Sequence, residues 1–390
     1  MQPPKQAFKL LSAVFLTGHS LFFSCTSNPD SSHERLLSYT IDTVLIDSKD
    51  EILFLQRDLL VSDYSEFDGM LYNLNDRTHH VEQINLNNLT LEKTIPFEQE
   101  GPNGTGFWTP NLQAVPGMKL FLGGERTGIY NLKGELQHRF DWTSVTKENG
   151  GLLNEERVFY QVVNPNFHHQ VFAVVVHDHA SSVSLRRLNS SSNSIQSYDI
   201  DPQEHFKTYT LGELNTYNKW YPKIHFSSIK DHVIVSHEFA NDFYVLYPEK
   251  DSLISIQYDS PFLPSKVTPT TVGDLENSIE DRKNALKNYR SQVVYGPLVF
   301  DTKNKHYVRL AASIQYGEKE RERSLLPEIS DSMLYISIFD ENFNHLVDQE
   351  IPELKKTGIP KYFAREGALW MYLNMEDELG FIRISQSTGV

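Results

Sequence analysis

Cysteine occurs once in the 390 residues, at Cys25, so the chain can close no internal disulfide. Basic residues are also short, 36 Lys and Arg against 51 Asp and Glu, which leaves a formal charge of −15. That balance speaks against nucleic acid as a partner, because phosphate binding needs a basic footprint. No apolar run is long enough for a comfortable membrane span. The nearest, Leu10 to Phe23, is short and interrupted by His19. Catalytic signatures are missing too: there is no Gly-x-Ser-x-Gly elbow and no His-Glu-x-x-His pair. The glycine-rich loop Glu98 to Gly106 lacks the Gly-Lys-Ser/Thr ending of a phosphate cradle and leads through Phe107-Trp108 toward a strand.

What the chain does have is a repeated hairpin. Gly128 to Trp142 alternates apolar and polar residues, turns at Lys133-Gly134 and alternates again, the period-2 pattern of two half-buried strands. The pattern returns at Gln83 to Phe97, Ser184 to Ile200, Phe243 to Asp259 and Tyr335 to Pro352, and a sixth copy begins at Phe381 to Ile384 and runs out of chain. Leu37 to Asp42 resembles the closing strands of the other copies and is expected to supply the missing one. First strand beside last closes a ring, so the expectation is an all-β, six-bladed β-propeller over residues 36–390. An irregular β-sandwich is the alternative. Ile52 to Leu55 is read as a strand of the first blade. Val171 to Val176, continuously apolar, reads as a strand covered on both faces. Asp274 to Arg290 breaks the β-rhythm: Leu275, Ile279, Leu286 and Tyr289 share a helical face, and acids precede bases. A helical insertion at about 274–290 follows, packed on the ring or acting as a lid.

The N-terminus reads as an export signal. Lys5 and Lys9 precede the apolar stretch, and Leu21 to Cys25 resembles a bacterial lipobox. Residues 1–24 are then a signal peptide, Cys25 the lipidation site and 25–35 a polar tether. An ordinary signal peptide with an incidental cysteine is the alternative.

The segment Glu100-Gly101-Pro102-Asn103-Gly104, set between the first two blades, together with the blade pattern and the N-terminus, resembles a family of exported bacterial lipoproteins with a six-bladed, TolB-like propeller and no assigned activity. The resemblance implies that fold and a cell-envelope address, with an outer-membrane lipid anchor facing either the periplasm or the surface. It carries over no catalytic residue.

Propeller topology brings the inter-blade loops to one mouth of the channel. The candidate ligand-binding residues on those loops are Asn103, Trp108, Glu155, Arg157, Trp220, Lys223, Arg290 and Lys361. An aromatic plane ringed by hydrogen-bonding groups suits a sugar or an aromatic side chain of a partner. The structural alternative is that Trp108 and Trp220 pack between blades. His177 and His179, two apart at a strand end, are weak metal candidates without an assignable third ligand, against a solvated strand end. No cofactor is expected. The leading functional reading is a membrane-tethered, non-catalytic module that binds an envelope protein. A glycan or small-ligand binder comes next, then an envelope carbohydrate enzyme acting through paired carboxylates.

Overall fold

The computed structural model describes residues 37–386, apart from 168, 212–218, 271–278, 322–323, 325 and 356–357. Residues 1–24, Cys25 and the tether 25–35 lie outside the described residues, as does the start of the helical insertion with Asp274 and Leu275.

The strands form six four-stranded antiparallel sheets. Blade one contains β2 (Ser62–Ser65), β3 (Met70–Asn75), β4 (His80–Asn85) and β5 (Thr90–Pro96). Blade two contains β6 (Asn111–Val115), β7 (Lys119–Gly123), β8 (Thr127–Asn131) and β9 (Leu136–Phe140). Blade three contains β10 (Glu156–Val163), β11 (Gln170–His177), β12 (Ser182–Asn189) and β13 (Ser194–Tyr198). Blade four contains β14 (Ile224–Ile229), β15 (His232–His237), β16 (Phe243–Tyr247) and β17 (Ser252–Ile256). Blade five contains β18 (Val293–Asp301), β19 (His306–Tyr316), β20 (Ile329–Phe339) and β21 (His345–Ile351). Blade six joins β22 (Tyr362–Arg365), β23 (Ala368–Met375) and β24 (Glu378–Gln386) to β1 (Tyr39–Leu45), in the order β1-β24-β23-β22. The fold is the expected six-bladed propeller, and all five complete hairpins fall on the third and fourth strands of their blades.

Closure by β1 follows the expected pairing. Ile41 lies opposite Ile384 and Asp42 opposite Arg383, whose Nε donates to Asp42 Oδ1 at 2.7 Å. The chain before β1 also reaches blade five, where Leu37 N donates to Gln349 Oε1 at 2.5 Å.

One packing rule explains the strand sequences. Six apolar clusters each join two neighbouring blades. In β11, Phe172, Val174 and Val176 face blade four, whereas Val171, Ala173 and Val175 face blade two. A strand sandwiched in this way has no polar face, and each buried valine contributes about 1.5–3 kcal/mol. The hairpin turns are set by Asx caps: Asn131 Oδ1 accepts Lys133 N (2.9 Å) and Glu135 N (3.0 Å), and Asn85, Asn189 and Asp340 do the same in blades one, three and five. Gly134 sits at φ +79°, and a Cβ there would stand 2.6 Å from the Pro96 carbonyl, so only glycine suits this turn.

Two expectations need correction or refinement. Ile52 to Leu55 is not a strand. Leu53 and Leu55 pack as a loop into the cluster between blades six and one, while the Phe54 backbone bonds to the side chains of Asn73 and Glu82. The first strand of blade one is instead the polar Ser62–Ser65, in which Ser62 and Ser65 are buried and Tyr64 stacks on Phe363 of blade six. Helix α2 (Ile279–Arg290) is formed, and its buried residues Ala285, Leu286 and Tyr289 pack on Leu211, Trp220, Tyr209 and Phe239. A second short helix, α1 (His205–Tyr209), supplies part of that surface.

Candidate functional site

The innermost strands β2, β6, β10, β14, β18 and β22 neighbour one another in turn around the axis. Every blade then runs outward strand by strand, so each outermost strand crosses to the next innermost one over the same face of the disc. The loop between second and third strands of each blade opens on that face too. All the candidate residues lie on or beside these loops, but the structure sorts them into three groups.

The first group is structural. Asn103 Oδ1 accepts Leu136 N at 3.1 Å, which ties the Glu-Gly-Pro-Asn-Gly segment to the outermost strand of blade two. Arg126 donates to Gly101 O (2.9 Å) and Arg139 to Gly104 O (3.1 Å), so the loop's carbonyls are held by cations of its own blade. Asn103 therefore belongs to the blade periphery. Trp108 in the same crossover is 54% exposed and does not pack between blades. Its carbonyl accepts Glu125 N at 3.0 Å, over Gly124, where a Cβ would come within 2.2 Å of that carbonyl.

The second group surrounds Asp178, on the loop between β11 and β12. Arg157 forms an ion pair with Asp178, and Tyr221 OH donates to Asp178 Oδ1 at 3.1 Å. Glu155 lies between the two candidate histidines, 3.6 Å from His177 Nε2 and 3.5 Å from His179 Nε2. His177 Nδ1 accepts Ala180 N at 3.2 Å, which leaves the ring proton on Nε2, directed at Glu155. A ring nitrogen that carries a proton offers no lone pair to a metal. Among the described residues there is no group of three or more His, Cys, Asp or Glu disposed to hold a metal ion.

The third group converges. Trp220 is fixed by a two-way backbone bridge to Leu211 (2.9 and 2.8 Å) and meets Tyr289 edge-on at 5.1 Å. The Arg290 guanidinium lies 5.0 Å from the Trp220 ring centroid, and its Nη1 is 3.0 Å from Glu238 Oε2. The other Glu238 oxygen accepts Lys223 N (2.8 Å) and Tyr289 OH (3.3 Å), while Glu238 N donates to Lys223 O (3.0 Å). Glu238 is 1% exposed. It is the hub that joins a residue before β14, the loop after β15 and the end of α2. The Lys223 side chain reaches water, yet the surrounding wall costs its charge some solvation. That burial pushes its pKa down, Glu238 opposes, and Arg290 and Lys361 push further in the same direction. Lys361 donates to Ser62 O at 2.7 Å; its pKa is lowered by burial and supported by Asp63. Burial in turn raises Asp63, against the pull of Lys361. Tyr160, in the bulge of β10, feels both Glu238 and Arg290. His225 Nε2 donates to Tyr295 O at 2.7 Å as the neutral ring, its pKa driven well down by burial and by Lys223.

Sequence reasoning missed Glu238 as the hub. The available signal was a carboxylate standing directly after the fully buried strand His232–His237, where a charge needs a partner. Glu238 Oε1 takes two hydrogen bonds, while Oε2 is held by the Arg290 ion pair alone. A separate cavity between blades five and six, lined among others by Tyr39, His306 and Gln386, measures about 20 Å³, room for roughly one water.

Comparison with known proteins agrees with this architecture. A crystal structure of a DUF4221 family member from Bacteroides vulgatus superposes with a TM-score of 0.62 at 12% identity, over 90% of this chain and 99% of that one. The crystal structure of a putative exported protein from Bacteroides fragilis gives a TM-score of 0.51 at 10% identity, over 91% and 98%. At such identities the likeness concerns the fold alone. No curated protein matches the sequence. The family model for DUF4221, a domain of unknown function, matches residues 34–350, and the chain belongs to that family.

Proposed function

We propose that the protein is a membrane-tethered, non-catalytic propeller that presents its crossover face to a protein partner in the cell envelope. The observation that carries this reading is the distribution of exposed apolar side chains. Ile52 and Leu60, Phe107 and Trp108, Leu153 and Phe262 all stand on crossover loops, and Met375 lies at the end of β23 on the same face. The opposite face carries Phe67, Met118 and, at the start of β21, Leu346. Ile52 at 94% and Phe107 at 63% exposure contribute nothing to the core, and apolar groups gathered on one face are the usual mark of an interaction surface. The tether rests on the sequence around Cys25, where several acyl chains on one residue would give stable anchoring. Against an enzyme stands the engagement of Glu238; Asp63 Oδ2 likewise accepts Ala114 N at 2.9 Å.

The test is site-specific photo-crosslinking in intact cells. Probes at Phe107, Trp108, Leu153 and Phe262 are expected to give one common adduct, and probes at Phe67 and Met118 none. Adducts from both faces alike, or from neither, would overturn the partner reading. Replacing Cys25 by Ser is expected to release the protein from membranes; an equally tight membrane association would remove the lipid anchor.

A further inference from the structure

The crossover from blade one to blade two, Glu98 to Trp108, is held more tightly than a connection requires. Thr105 N donates to Glu98 O at 2.9 Å and Gly106 N to Gln99 O at 3.0 Å, so the glycine-rich loop is tied across its base. Thr105 Oγ1 also meets His79 Nε2 at 2.6 Å in the interior. Past the loop, one residue clamps the next two: Glu125 Oε2 accepts Phe107 N at 2.9 Å, and Glu125 N donates to Trp108 O at 3.0 Å. Glycines make the clamp possible. Gly106 sits at φ +84°, where a Cβ would stand 2.7 Å from Glu125 Cβ, and Gly124 passes the Trp108 carbonyl with no room for a methyl group. The two side chains fixed in this way serve no purpose in the core. Phe107 is 63% and Trp108 54% exposed, and among the described residues no ring or cation stacks on the indole. A rigid backbone beneath two exposed aromatic rings is a preorganised anchor, because its ordering is complete before a partner arrives.

The surrounding charges define what the anchor takes. Glu98, Glu100 and Glu125 are all exposed, and among the described residues the Glu98 and Glu100 carboxylates have neither a hydrogen bond nor an ion pair. The two cations of the same loop are engaged: Arg126 donates to Gly101 O (2.9 Å), and Arg139 to Pro102 O (3.3 Å) and Gly104 O (3.1 Å). Three carboxylates against two engaged guanidiniums, on a chain that carries −15, favour positive charge in whatever docks here.

We propose that Phe107 and Trp108 are the anchor of the partner surface and that they receive a lysine or arginine side chain from a basic segment of the partner protein. The cation lies on the indole face, its methylene stem covers apolar surface, and the neighbouring carboxylates supply the counter-charge. An aromatic plane alone would suit a neutral sugar equally well; the carboxylates select the cation. The inference rests on the partner reading given above and adds to it the partner's charge and the point of contact.

The experiment is calorimetric titration of the purified protein at low, constant ionic strength with acetyl-tetra-arginine amide, with acetyl-tetra-glutamate amide as the anionic probe and cellobiose as the uncharged one. Tetra-arginine is expected to bind and the other two not. Trp108→Leu is expected to weaken tetra-arginine by about threefold or more, as the loss of one cation–π contact. Glu100→Gln should weaken it too, at an unchanged melting midpoint, since that carboxylate holds nothing in the fold. Glu249→Gln makes the same change of charge in a turn on the opposite face and should leave the affinity as it is. Equal affinity in parent and Trp108→Leu would overturn the proposal, as would equal weakening by Glu100→Gln and Glu249→Gln, which would reduce the binding to net charge. Cellobiose binding that is lost in Trp108→Leu would make this a sugar site and overturn it as well. A common adduct from the crosslinking probes without Trp108-dependent binding of tetra-arginine would remove the anchor and leave the partner reading standing. Trp108-dependent binding without a common adduct would keep the cation site and remove the partner reading.

Discussion

Replacing Arg309 is expected to be the most damaging single change in the ring outside the blade cores. Arg309 is 1% exposed and meets no carboxylate within ion-pairing distance among the described residues; four carbonyls take its protons. Nε donates to Gly296 O (2.9 Å), Nη1 to Asn241 O (2.6 Å), and Nη2 to His237 O (3.2 Å) and Ala240 O (3.1 Å), with the guanidinium 4.9 Å from the Tyr295 ring centroid. The residue therefore stitches the loop 237–241 of blade four to the innermost strand of blade five. Methionine matches the stem but leaves those carbonyls unsatisfied. Each hydrogen bond from a charged donor is worth about 1.5–3 kcal/mol, offset by the desolvation of the guanidinium, so a net loss of about 4–6 kcal/mol is expected for Arg309→Met. At roughly 2 °C per kcal/mol in a chain of this size, that is a fall of about 8–12 °C in the melting midpoint. Arg309→Lys keeps the charge but reaches fewer of the carbonyls, and should fall between the two. Because the loop carries Glu238, amide exchange in 237–241 should quicken in Arg309→Lys before the rest of the ring is affected. If Arg309→Met melts within about 1 kcal/mol of the parent, water satisfies the carbonyls and the reasoning fails.

Three further outcomes can be measured. Deleting residues 37–45 exposes Ile382 and Ile384 and should cost about 3 kcal/mol or more, read as a lower urea midpoint; unchanged cooperative melting would count against closure by β1. His237 is buried against Phe239, and burial lowers its pKa to about 4. The unfolded chain, with an ordinary histidine near 6.5, thus binds the extra proton first. Stability should fall as pH drops from 6.5 to 4, by about 3 kcal/mol from this residue. Asp201, raised to about 6 by burial, acts in the opposite sense, gaining stability as pH falls from 6 toward 4, so the measurement is the pH dependence of the difference between parent and His237→Gln, which should become flat above pH 7. Gly124→Ala places a methyl group against the Trp108 carbonyl and should cost about 1–3 kcal/mol while shifting Trp108 fluorescence; no change in either would mean the crossover loop yields freely.

The hairpins were legible because the outer strands of a blade are only partly covered and so alternate in sequence, and the N-terminal strand because it had to match the strands it replaces. The innermost strands were not. Ser62-Asp63-Tyr64-Ser65 has no apolar rhythm although its two serines are buried, whereas Ile52 to Leu55 has the composition of a strand and packs as a loop. For the site, topology alone selected the loops that hold Trp220, Lys223, Arg290 and Lys361. It did not distinguish Trp220, which α2 covers, from Trp108, which is 54% exposed. Nor did it pair Glu238 with Arg290, since a contact between residues so distant in sequence leaves no local signal.

The closing seam also has a mechanical direction. Tyr39 pairs with Gln386 and Leu45 with Gly380, so both described ends of the chain leave the ring side by side, at the outermost edge of blade six and on the face away from the mouth. A pull on the chain before Tyr39 loads these hydrogen bonds one after another instead of all together. The same seven residues that seal the ring against heat form a zipper under tension, opened from the side of the N-terminal chain, with the loops around the mouth the last to feel it.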